Sequence, residues 1–178
     1  VGAKALPVWF LLEGAGTLQS VLAADSGVHA GIIKGGVAGS MQGRLANAAD
    51  LITAAAKATL NAEKPFPQIV GMLLEAGVEW YHVDYLALRK TFYSGDGAVA
   101  STPIPLEGLP PVAADFDAEA LRANIRDSQQ HHQSWREFTV RAMKGGVKGY
   151  FAFLRGQRVT YFGRQGDQHT EWFPGAKP

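Results

Sequence analysis

Gly77-Val78-Glu79-Trp80-Tyr81-His82-Val83-Asp84 is the stretch on which the fold turns, because it returns in altered form as Gly146-Val147-Lys148-Gly149-Tyr150-Phe151-Ala152-Phe153. Each run starts at a glycine that closes an apolar helical stripe, then alternates with a period of two. A helix ending at glycine and feeding a strand has this signature. Phe66–Gly97 laid over Trp135–Gly166 registers without a gap at an offset of 69 residues. Gly77 then falls on Gly146, Val78 on Val147, Tyr81 on Tyr150, Thr91 on Thr160 and Gly97 on Gly166, while Phe92-Tyr93 meets Tyr161-Phe162. The matched positions carry the same structural role in both copies, which scattered identities would not do together.

Upstream of each glycine the period is helical. Leu45, Ala48, Ala49, Ile52, Ala56 and Leu60 recur at helical spacing, and Leu121 and Ile125 stand where Ile52 and Ala56 do. Asp117 reads as the N-cap of the later helix, with Phe116 and Leu121 placed as a hydrophobic staple. A shorter helix follows in each copy. Ser134 and Glu137 form a capping box ahead of Phe138, Ala142 and Met143, and the earlier copy has Ile69, Met72, Leu73 and Ala76 after Pro65. Downstream, Tyr81, Val83 and Tyr85 share one strand face, as do Tyr150, Ala152 and Leu154, and these faces are expected to pack on the helices. A second strand over Arg89–Ser94 or Arg158–Gly163, a glycine turn and a short third strand complete each unit. The expected fold is therefore α+β, a tandem duplication of an α-α-β-β-β unit whose antiparallel hairpins form a mainly antiparallel sheet packed on helices.

The copies span about 45–101 and 114–173, joined by the proline-rich stretch from Ser101 to Ala113. Residues 41–178 read as one domain opening at Met41, and residues 1–40 as an extension rich in Gly, Ala and Val. Its start looks faintly like a secretory signal, with Lys4 and an apolar run that Glu13 cuts short, and Gly31–Gly36 lacks the spacing of a phosphate loop. At 178 residues the chain is long enough to bury a core without staples, and with no cysteine it has no disulfide or thiolate chemistry. No apolar run approaches the length of a membrane-spanning helix, and the expected setting is cytoplasmic. A formal net charge of +1 argues against nucleic acid, even though Arg89, Lys90, Arg155, Arg158 and Arg164 interleave with aromatic residues.

Chemistry is sought where the copies differ. On the outer strand face the first copy offers Trp80, His82 and Asp84, and the second offers Gly149, Phe151 and Phe153. Near the end of the chain Arg164 precedes Asp167, His169 and Glu171, which alternate along an extended segment. If the hairpins join into one sheet, these two rows can meet. His82, Asp84, His169 and Glu171 would then suit zinc, iron or manganese, or serve as an acid–base pair in which a carboxylate orients a histidine. The structural alternative is a pair of solvated polar faces with cross-strand charge pairs. His131 and His132 read as loop residues. The P-loop, dinucleotide, zincin and α/β-hydrolase signatures are all missing from the chain.

The run Gly77–Asp84, then Lys90-Thr91-Phe92-Tyr93, Tyr161-Phe162-Gly163-Arg164, Gly166-Asp167, His169 and Glu171-Trp172-Phe173-Pro174-Gly175, resembles the bacterial YbcV-like family, often labelled phage envelope protein. The resemblance spans about Met41 to Pro178. It implies a small α+β domain of bacterial or prophage origin and implies no activity. From the residues themselves the favoured function is a small-ligand or protein interaction module, with a homodimer or another protein meeting the outer sheet face or the Trp172-Phe173-Pro174 tail. The alternative is a small enzyme or divalent-metal-binding protein using His82 and His169 with nearby carboxylates. Geometry separates the two: a shared concave site for both histidines favours the second, and separation favours the first.

Overall fold

Glycine sets the two helix-to-strand transitions. Gly77 and Gly146 lie at φ +77° and +82°, a left-handed conformation that other residues adopt at a cost, and their amides cap the preceding helices by donating to the Leu74 and Met143 carbonyls. The computed structural model describes residues 37–60, 66–131, 133–173 and 176. The expectations for residues 1–36, Pro65, His132 and Pro174 fall outside the described residues. In chain order the elements are α1 (Val37–Leu60), α2 (Phe66–Glu75), β1 (Val78–Asp84), β2 (Arg89–Ser94) and β3 (Val99–Pro103), then α3 (Ala118–Gln130), α4 (Trp135–Lys144), β4 (Val147–Phe153), β5 (Arg158–Gly163) and β6 (Gln168–Trp172). Helix α1 thus begins four residues ahead of Met41. None of the described helices is long and apolar enough to cross a membrane.

The fold is α+β, with a single six-stranded antiparallel sheet in the order β3-β2-β1-β4-β5-β6. Two three-stranded meanders therefore join edge to edge through β1 and β4. At this seam His82 lies opposite Phe151, the residue 69 positions further on. The flanking pairs follow as Trp80 with Phe153 and Asp84 with Gly149. Irregular features recur at the same spacing. Both first strands shift register, at Val78/Trp80 and at Val147/Gly149, and Leu88 and Gln157 take φ of 50° and 52° in corresponding turns. The amide of Tyr85 donates to the Lys148 carbonyl across the seam, and that of Leu154 donates to Glu79 in return.

One core lies between the sheet and the helices. Val83, Tyr85, Tyr150, Ala152 and Leu154 are buried with Tyr81 on the inner face, as the period-two pattern predicts, against Ile52, Ala56, Leu121, Ile125 and Phe138. The tyrosines meet edge-on or tilted: Tyr81 and Tyr85 lie 6.3 and 6.1 Å from Tyr150, and Tyr161 lies 5.4 Å from it. Burial raises the pKa of each of these four phenols, so all remain protonated at neutral pH.

The predicted caps are present. Asp117 accepts from the Ala120 amide at the start of α3, and Ser134 and Glu137 close a reciprocal capping box on α4. One buried polar tie escaped the sequence reading. Asn124 donates to the Phe138 carbonyl and accepts from Gln133, which fastens α3 to α4. The linker also differs in extent, since β3 continues through Ser101 to Pro103. Pro103 closes an edge strand, where its missing N–H leaves no ladder bond unmade.

Candidate functional site

The outer face of the sheet carries Trp80, His82 and Asp84 from β1 beside Phe151 and Phe153 from β4, as their alternation requires. On one side of the seam this surface is filled by rings. Trp80 stacks on Tyr93 at 5.2 Å and faces Phe153, while Arg158 lies over both Phe153 and Trp172. On the other side the corresponding pair is Asp84 and Gly149, a carboxylate where its counterpart is a phenyl ring and a glycine where its counterpart is an indole. Removing two large rings from half of a continuous aromatic surface leaves a hollow. Its volume is about 370 Å³ and it is lined by His82, Asp84, Leu86, Lys148, Gly149, Phe151 and Phe162.

Each lining group is held by a local cause. The His82 ring stacks on Phe151 with centroids 4.3 Å apart and planes 12° from parallel, and Phe151 in turn meets Phe162 edge-on at 5.9 Å. Asp84 Oδ1 accepts from the amides of Leu86 and Ala87 at 2.8 and 2.9 Å, which pins the carboxylate at the β1–β2 turn. Gly149 is required by close approach: a Cβ there would stand 2.3 Å from the Val83 carbonyl oxygen. Partial burial lowers the His82 pKa, Asp84 opposes the shift and the Lys148 ammonium adds to it. The imidazole is therefore neutral at pH 7 and offers one donor and one acceptor. A neutral imidazole, a carboxylate, an ammonium and two phenyl rings together suit a small planar molecule with an acidic group.

The two polar rows predicted to meet do not. Cross-strand register pairs His169 with Tyr161 and Glu171 with Val159, both inward-facing, so His169 and Glu171 lie on the helix side of the sheet. Strands β4 and β5 also stand between β1 and β6. His169 instead contacts its own neighbour, with Nε2 3.3 Å from Glu171 Oε2. Asp167 is exposed in the β5–β6 turn, where its carbonyl accepts from the Gly163 amide. Arg164 donates to the Val112 carbonyl and straps the linker to that turn. Trp80 belongs to the filled side of the face. Of the seven candidates, only His82 and Asp84 share the hollow. Among the described residues no group of three or more His, Asp or Glu side chains is arranged to hold a metal ion.

Neither a protein-family model nor a curated protein matches the chain.

Sequence reasoning missed three features. Lys148 and Phe162 complete the hollow, and strand alternation with the β4–β5 register would have placed Phe162 beside Gly149. Lys90 is only 4% exposed and sits on the inner face, its Nζ 3.8 Å from the centre of the Trp135 ring. The signal for it was alternation with Phe92, which is also buried. Finally, Asp127 bridges His131 and Arg141 beside a surface hollow of about 360 Å³. His131 is thus a paired helix-end residue.

Proposed function

We propose that this chain is a small-ligand-binding module, a tandem duplication of an α-α-β-β-β unit whose working site is the outer-face hollow around His82. The observation that carries this reading is the break in correspondence at the seam. Trp80 and Phe153 fill one side, and Asp84 and Gly149 open the other. Support for duplication comes from the turns, register shifts and cross-seam hydrogen bonds that recur at a spacing of 69 residues. Kinship with the YbcV-like family and a cytoplasmic, bacterial or prophage setting form part of the same proposal. The ligand class follows from the lining: a planar ring to lie against Phe151 and Phe162, and an acidic group for Lys148 within reach of the His82 imidazole. Leu86, 63% exposed at the rim, favours as a second reading a protein partner or second copy that inserts such a side chain. The enzymatic and metal alternative lacks its geometric basis, because His82 and His169 occupy opposite faces.

Titration of the ¹⁵N-labelled protein with benzoate and salicylate tests the reading. The amides of Asp84, Gly149 and Phe151 and the His82 ring are expected to shift together, with a Kd of about 1 mM or tighter, within what so small a probe can attain. Shifts confined to other surfaces would remove the proposal.

A further inference from the structure

The sheet ends in two unlike edges. At one, α1 packs against β3, and Pro103 takes an amide away from the free side of that strand. At the other, Trp172 stands 69 residues on from Pro103, and among the described residues β6 has β5 as its one neighbouring strand. The hydrogen-bond ladder shows which groups β6 leaves over. The Gly163 amide donates to the Asp167 carbonyl and the Phe173 amide to the Gln157 carbonyl, each at 2.8 Å. Residue pairs in an antiparallel ladder alternate between bonded and non-bonded, so between these two ends His169 and Glu171 turn their backbone groups to β5. Gln168, Thr170 and Trp172 turn theirs to the free edge, where none of the described residues takes up those amides and carbonyls. Such an edge is a template for a further strand.

The strand that fits it is β6 itself, reversed. In antiparallel pairing centred on Thr170, Thr170 faces the partner's Thr170, Gln168 faces the partner's Trp172, and every edge amide and carbonyl gains a mate on the other chain. The residues between them form non-bonded pairs with Cα atoms about 4.5 Å apart. In these pairs His169 faces the partner's Glu171, and Glu171 faces the partner's His169. An imidazole thus meets a carboxylate at both ends of the contact, on the inner face where each is partly exposed. The neighbouring registers would set His169 against His169 or Glu171 against Glu171, so side-chain chemistry selects a single alignment.

We infer that β6 is the pairing edge of a two-fold homodimer, in which the sheets of two chains join through their β6 strands. One short strand covers little surface, so the contact is a reversible one with a Kd on the order of 10 to 100 µM. It uses neither His82 nor Asp84 and stands apart from the ligand reading.

Sedimentation equilibrium of the full chain tests the inference. The average mass is expected to rise from one chain toward two as the concentration reaches about 500 µM. Thr170→Pro removes the central edge amide and leaves the ladder to β5 intact, and it is expected to weaken dimerisation at least tenfold. His169→Glu and Glu171→His are each expected to weaken it similarly, whereas an equimolar mixture of the two single variants regains it, because imidazole then faces carboxylate only between unlike chains. A wild-type chain that stays monomeric at about 500 µM would overturn the inference. So would undiminished dimerisation of Thr170→Pro, or a mixture that associates no better than its components.

Discussion

Lys90 is the residue with the largest consequence for pH dependence. In the unfolded chain its amine titrates near the ordinary 10.5, and in the folded protein burial brings this to about 7. Between those values the unfolded state holds the extra proton, so stability rises with pH across that window and is constant below it. The gain is on the order of 4 kcal/mol from this group alone. The four buried tyrosines act oppositely, because their raised pKa values cost stability once unfolded phenols ionise near 10. Urea melts are therefore expected to show stability climbing from pH 7 to about 9.5 and then falling. Lys90→Met is expected to raise stability at pH 7 and to flatten the climb; a wild-type profile already flat over that range contradicts the burial of an amine. The sequence contained the signal for this residue. In Arg89-Lys90-Thr91-Phe92-Tyr93 the lysine alternates with Phe92, which places it on the buried face, whereas the sequence reading took it only together with the nearby arginines as one of the cations interleaved with aromatic residues.

At the scale of elements, helix ends and strand starts were legible because each is set by local chemistry. The capping box at Ser134, the cap at Asp117 and the glycine stops at Gly77 and Gly146 all act within a few residues of chain. The stops make separable demands. Gly77 has positive φ with open surroundings, its nearest neighbour for an added Cβ being Ser94 Cβ at 4.0 Å. Gly146 has positive φ and would place a Cβ 2.1 Å from the Asp115 carbonyl oxygen. Gly77→Ala is thus expected to cost about 1 to 2 kcal/mol, and Gly146→Ala more than about 3 kcal/mol, in urea or thermal melts. Equal losses would mean that the segment around Asp115 yields freely. What remained illegible was the absolute face of a strand remote from its neighbours. Alternation along Asp167, His169 and Glu171 gave their relative directions, but only the β5–β6 register, with Tyr161 opposite His169, decides that the histidine turns inward.

Across the whole molecule, the meeting of the two meanders at β1 and β4 was not fixed by either meander alone. Each unit specifies its own hairpins through local turns, whereas the seam depends on contacts between residues 69 apart in the chain. Once His82 lies opposite Phe151, the outer face divides into a filled side and an open side, and the hollow follows from that division. Phe at position 82 would restore the correspondence at the centre, exchanging the imidazole–phenyl stack for a stack of two phenyl rings. The most direct measurement is therefore the ¹H–¹⁵N titration of His82→Phe with salicylate, in which the spectrum itself reports the fold. A native-like spectrum with shifts at Asp84 and Gly149 weakened at least tenfold is the predicted result. Collapse of the spectrum, or undiminished binding, would contradict the placing of the working surface at this break in symmetry.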